Sequence, residues 1–193
     1  MDFSEKLAKA KAREEERGRP TKTVTVSLDA EVTTRLRELE EKLELEKQKP
    51  QDGRLAKKNP LALLIDEIEE VQAEFEDTLV DLKFTRLKGG DWNDLTVTNP
   101  PRLNSIPDTQ FFGYNIHAVA RAAAPLSGVL VADGEEQPLS EAQWADLFEL
   151  IDGKGHEEIA DAIYQLNEGD SKRAVDLGKA RRAAALASET KSS

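Results

Sequence analysis

The chain has no cysteine, so disulfides, thiolate nucleophiles and cysteine-ligated metal sites are excluded together. Aromatic residues make up only 5% and hydrophobic residues only 38%, against 34% charged, so the core must be modest and part of the chain falls outside it. No window approaches the roughly 18 uninterrupted apolar residues that a membrane-spanning helix needs. Residues 1–20 alternate Lys and Arg with Glu and lack the apolar stretch of a secretory signal. Only two histidines are present, His117 and His156, and neither sits in an HxxxH or HExxH frame. Gly89-Gly90 and Gly153-Lys154-Gly155 lack the spacing of a phosphate-binding loop and read as helix terminators. No GxSxG elbow occurs, and the many carboxylates lie on solvated helix faces. The expectation is a protein with no catalytic site, no metal and no cofactor.

What is present is charge, unevenly spread over 193 residues. Residues 1–22 carry +2 and residues 170–193 carry +3, which leaves −16 on 23–169 in a chain of net −11. Such a body repels nucleic acid and anionic membrane and keeps the protein soluble, so neither is expected as a partner.

The hydrophobic pattern predicts the architecture. Residues 1–21 offer almost nothing to bury and read as a charged, flexible arm, either a frayed helix or disordered. Thr23-Val24-Thr25-Val26-Ser27-Leu28 alternates strictly, as a half-buried strand does, and Asp29 is a good N-cap for a helix starting at Ala30. From residue 30 to about 49, Val32, Leu36, Leu39 and Leu43 form a narrow stripe suited to one partner helix. Pro50-Gln51-Asp52-Gly53 breaks it. A second helix begins near Pro60 with Leu61, Leu64, Ile65, Ile68, Val71 and Phe75 at three-and-four spacing, so the two form an antiparallel hairpin. Residues 78–87 make a second strand, placed to pair with the first.

Beyond Gly89-Gly90, Asp91 is expected to cap a short helix holding Trp92 and Leu95, stopped by Asn99-Pro100-Pro101. A loop over 102–114 comes next, then a helix over about 115–124, Pro125, a short apolar run Val129-Leu130-Val131 and an Asp133-Gly134 turn. Ser140 and Gln143 form a capping box for a helix with Trp144, Leu147, Phe148 and Ile151 inward. A last helix buries Ile159, Ile163 and Leu166. The expected class is mainly α with a small β component (α+β). It comprises an arm at 1–21, a strand–helical hairpin–strand unit at 22–88, a small helical bundle at 89–169 and a basic, disordered tail at 170–193.

Two resemblances bear on function. The segment Lys22-Thr23-Val24-Thr25-Val26-Ser27-Leu28-Asp29 with its helix resembles the start of a ribbon-helix-helix repressor or antitoxin. That likeness implies that Thr23, Thr25 and Ser27 would read a DNA groove. The helix is too long for that family, and the −16 body opposes phosphate binding.

Over roughly 21–170, the order of elements resembles the tail assembly chaperones of long-tailed, siphovirus-type actinobacteriophages. The likeness is carried by Leu82-Lys83-Phe84-Thr85-Arg86-Leu87, Trp92-Asn93-Asp94-Leu95, Asn99-Pro100-Pro101, Phe112-Gly113-Tyr114-Asn115, Leu139-Ser140-Glu141-Ala142-Gln143-Trp144 and Leu166-Asn167-Glu168-Gly169. It implies a non-enzymatic protein of the host cytoplasm, absent from the mature virion. Such a protein binds the tape measure protein and keeps it soluble while the tail tube polymerises. Its own frameshift-extended form, or a homo-oligomer, is a further partner. The expected contact residues are Phe111, Phe112 and Tyr114, unless these rings plug the core beneath their loop; Trp92 and Trp144 read as core. The family's programmed −1 slip would fall at Gly178-Lys179, since a G-GGA-AAN heptamer encodes Gly-Lys. A third reading is a generic coiled-coil adaptor that binds through the hairpin.

Overall fold

The computed structural model describes residues 2–48 and 60–169. The breaker at 50–53, the linker up to 59, the tail from 170 and the proposed slip position Gly178-Lys179 lie outside the described residues.

Helix α1 (Phe3–Arg17) buries no residue and is held at its start by a capping box, in which Asp2 accepts from the Glu5 amide at 2.8 Å and Glu5 from the Asp2 amide at 3.0 Å. The arm is therefore a capped helix. Strand β1 (Thr21–Ser27) comes next, then α2 (Ala30–Lys47), whose first amides, Glu31 and Val32, donate to the Asp29 carboxylate at 2.9 and 3.0 Å. Helix α3 (Pro60–Asp77) leads into β2 (Leu79–Thr85), which pairs antiparallel with β1 in continuous register from Thr21↔Thr85 to Ser27↔Leu79. The alternation works as expected: Val24, Val26, Leu82 and Phe84 are all buried.

The hairpin has a core of its own. Val32, Leu39 and Val71 are buried there, with Leu36, Leu64, Ile68 and Phe75 packed around them. Arg35 on the flank reaches Glu67 at 3.9 Å and Glu74 at 3.5 Å, exposed pairs that contribute little stability. Ile65 faces outward, because the stripe is only wide enough for one helix–helix seam.

Helix α4 (Gly89–Thr98) begins at the glycines themselves, with Lys88 as N-cap and Asp91 inside the first turn. The expected Asp91 cap is thus displaced by three residues. Within the expected loop, Pro107–Phe112 winds into a π-helical turn. Helix α5 (Ile116–Ser127) runs through Pro125, which falls in its last turn and so did not end it.

The apolar run then forms β3 (Gly128–Ala132), and a two-residue turn with positive φ at Asp133 (53°) and Gly134 (80°) brings it back as β4 (Glu135–Gln137). Both strands join one antiparallel sheet in the order β1-β2-β3-β4. Helices α6 (Glu141–Leu150) and α7 (Gly153–Tyr164) and a closing π turn, Gln165–Gly169, complete the described chain. Ser140 and Gln143 make the expected capping box on α6. Gly153 opens α7 behind an Asp152 cap.

The main core is shared by the sheet and by everything after it. Val24, Val26, Leu82 and Phe84 pack in one cluster with Trp92, Val119, Ala123, Trp144, Phe148, Ile159 and Ile163. A Cβ at Gly128 would lie 2.7 Å from the Trp144 ring, 2.8 Å from the Ala124 carbonyl oxygen and 2.8 Å from the Phe84 ring. Gly128→Ala should therefore cost about 1–3 kcal/mol by overpacking. Gly153→Ala, whose methyl would meet nothing within 4 Å, should leave the urea midpoint nearly unchanged. Equal midpoints for the two variants would contradict this packing. Because the two cores are separate, Leu39→Ala should lower hydrogen-exchange protection in α2 and α3 by about 2–5 kcal/mol and spare β2.

Candidate partner-binding loop

The segment from 99 to 115 is a closed loop, because the Asn115 amide donates to the Asn99 carbonyl at 3.0 Å. Its path is fixed from inside. Asp108, the one charged side chain buried among the described residues, accepts from Arg102 Nε at 2.6 Å, Arg102 Nη2 at 3.1 Å and the Arg102 amide at 3.2 Å. This is a guanidinium fork on a carboxylate, with the guanidinium side half exposed. The Asp108 amide donates to Ser105 Oγ at 3.3 Å, and the Gly113 amide closes the π turn on the Asp108 carbonyl at 2.7 Å. Gly113 takes φ 79°, a left-handed conformation that glycine adopts without strain. The Arg102 hydrogen bonds, against the opposing effect of burial, hold the Asp108 carboxyl well below its ordinary 3.8, at about 2.

The three rings expected to meet a partner separate in the structure. Tyr114 is buried and donates its hydroxyl to Glu168 Oε1 at 3.0 Å; burial first, then the Glu168 charge, push its pKa far above the usual tyrosine value. Trp92 Nε1 donates to the same oxygen at 2.9 Å, and the Trp92 and Tyr114 rings meet edge-on at 5.9 Å. Phe112 is half-buried, edge-on to Tyr164 at 5.2 Å. These two rings plug the core beneath the loop, while Phe111 stands 75% exposed. Trp92 and Trp144 are both core residues, as expected.

Phe111 has company that sequence reasoning missed. Leu103 is 92% exposed and Ile106 63% on the same loop, and Val97, in the last turn of α4 just before it, is 72% exposed. Composition gave no signal for them, since four apolar residues in the eleven between Pro101 and Gly113 are no richer than the chain's 38%. They have no helical or strand period, so periodicity could not flag them. The loop thus spends its one buried charge on shape while Leu103, Ile106 and Phe111 stand in solvent.

Elsewhere, His117 is exposed on α5, and His156 Nε2 lies 2.9 Å from the Phe148 carbonyl oxygen. Among the described residues, no three His, Asp or Glu side chains converge as metal ligands would. None of the described helices is long and apolar enough to cross a membrane. No protein-family model, curated protein or solved structure matches the chain.

The clasp makes a pH prediction. Since Asp108 titrates lower in the folded protein than in the unfolded chain, its carboxylate contributes stability in full above about pH 4. That contribution falls away as pH drops toward about 2. The Arg102 Nε–H resonance, followed by NMR, should hold its position from neutral pH to about 4 and move only below that. A midpoint near the ordinary aspartate value would contradict the clasp.

Proposed function

We propose that the protein is a non-enzymatic assembly chaperone of a long-tailed phage that binds the tape measure protein through the 99–115 loop. The observation that carries the reading is the exposure of Leu103, Ile106 and Phe111 on a loop clasped from within by Arg102 and Asp108. Apolar anchors on a fixed scaffold suit the apolar stripe of a long helix, whose own anchors recur at three-and-four spacing. Pre-organisation lowers the ordering cost of binding. The acidic body, −16 over residues 23–169, keeps the complex soluble and discourages close approach of a second acidic copy. A contact this limited can also be given up when the tail tube closes around the tape measure, so the chaperone stays in the host cytoplasm and out of the virion. The partner's identity in this reading rests on the family likeness of the sequence motifs, and the exposed apolar residues of the loop support the choice of contact.

The adaptor reading keeps one observation in its favour. Leu45, Leu63 and Ile65 are exposed on the hairpin, outside its seam, and could hold a second partner or copy there. The DNA-reading alternative is weakened by Asp81, whose carboxylate accepts from Thr25 Oγ1 at 2.5 Å and sets a negative charge on the face that would enter the groove of a polyanion.

Co-expression with the phage's tape measure protein tests the proposal. The double variant Leu103→Ser/Phe111→Ser alters only exposed side chains, so its thermal midpoint should match the parent. It should recover about 10-fold less soluble, co-purifying partner, the equivalent of about 1.4 kcal/mol of binding. Undiminished recovery would remove the loop from the interface, and loss on Ile65→Ser alone would move the interface to the hairpin.

A further inference from the structure

In a molecule of net charge −11, cations nonetheless gather where the end of α1 meets the corner between β2 and α4. Arg13 and Arg17, one helical turn apart, line a hollow of about 420 Å³ together with Arg86 and Lys88. At the sheet side the corner is pinned, the Arg86 amide donating to the Pro20 carbonyl at 2.9 Å; α1 itself buries no residue, and the chain leaves it through Gly18 at φ 71°. Arg19, also in the lining, is paired with Glu14, Nε to Oε1 at 2.7 Å. Glu14 is the one carboxylate among the described lining residues, and Asp91, in the first turn of α4, adds a second negative charge at the helix start. The Glu14 pKa is lowered chiefly by the Arg19 hydrogen bond and further by the charges of Arg19, Arg86 and Lys88, which line the same hollow. Arg13, Arg17, Arg86 and Lys88 make no ion pair among the described residues.

Four like charges around one hollow repel each other, and folding alone gives no reason to collect them. The floor adds a second oddity. Helix α4 starts with two consecutive glycines, Gly89 lining the hollow, and its N-cap Lys88 gives no side-chain hydrogen bond to the first amides. Neither glycine has positive φ, and a Cβ on either would meet nothing within 4 Å. Glycine there weakens the helix start without relieving any strain or crowding in the protein. A ligand seated directly against the backbone would account for it.

We propose that this hollow binds a small phosphoryl-bearing anion, gripped by the guanidinium groups of Arg17 and Arg86 and seated on the open first turn of α4. Guanidinium forks and exposed helix amides both match the several oxygens of a phosphoryl group. A long polyanion would have to run out over the −16 body, which favours a ligand small enough to stay inside.

Isothermal titration of the full chain with inorganic pyrophosphate, at fixed ionic strength, tests this. Saturable binding with a dissociation constant below about 1 mM is expected. Arg17→Gln/Arg86→Gln should weaken it at least about 10-fold while leaving the circular dichroism spectrum unchanged. Gly89→Ala is the sharper variant. It should raise or preserve the thermal midpoint, as removing glycine from a helix start does, yet weaken pyrophosphate binding. ADP binding as tightly as pyrophosphate would place recognition at the phosphates alone, and clearly tighter ADP binding would make a nucleotide the ligand. Heats reproduced by sodium chloride of equal ionic strength, or unaltered in the double variant, would overturn the site. Tighter binding of a hexaglutamate peptide than of pyrophosphate would overturn the ligand class. None of these outcomes depends on the 99–115 loop, so the phage-chaperone reading stands or falls separately.

Discussion

Leu82 and Phe84 lose all contact with solvent in β2, and that burial sets what surrounds them. The strand pairs on one edge with β1 and on the other with β3, so its inner face is where the sheet meets α5, α6 and α7. Phe84 and Trp144 come to 6.0 Å between ring centres, and both press on the backbone at Gly128, where β3 begins. Close packing of this kind tolerates little change in volume. It also leaves Trp144 Nε1 buried with no hydrogen-bond acceptor among the described protein groups, so the indole serves there for its shape.

The last described turn locks that core to the loop. Glu168 gives one carboxylate oxygen to both Trp92 and Tyr114, and its neighbour Asn167 accepts from the Leu87 amide at 3.0 Å while donating to the Ile163 carbonyl at 2.8 Å. Two stretches far from that turn in sequence, the Leu87–Trp92 corner between β2 and α4 and Tyr114 at the base of the 99–115 loop, are thus tied to it. Such charge-assisted bonds are stronger than neutral ones when partly shielded from water. The loop's outward residues stand on a base held from below, and its own Arg102–Asp108 clasp holds its contour.

Much of this was legible where local rules and tertiary packing agree. The strict alternation of 23–28 and 80–84, the Asp29 and Ser140 caps and the two hairpin stripes each specify an element without help from distant residues. What was missed depends on distant contacts. β4 is Glu135–Gln137, three exposed polar residues with no alternation to read, and it exists because β3 offers it an edge and Lys83 meets Glu136 at 2.6 Å. Pro125 was expected to stop α5, yet in a final turn the ring's missing amide costs only one hydrogen bond before the chain enters β3. The aromatic cluster of 111–114 was found as a cluster, but the direction of each ring was not. Phe112 and Tyr114 turn inward because Tyr164 and Glu168, some fifty residues on, complete their surroundings.

In the 99–115 loop internal order and outward apolar side chains coincide, and the account requires that the loop be rigid in the unbound protein. Backbone ¹⁵N relaxation on the unbound protein measures that directly at Leu103, Ile106 and Phe111. Order parameters near 0.85, like those of well-formed helices, are the expected result. Values below about 0.6 at these three amides would mean a loop that gains its shape only on contact, and would contradict the account.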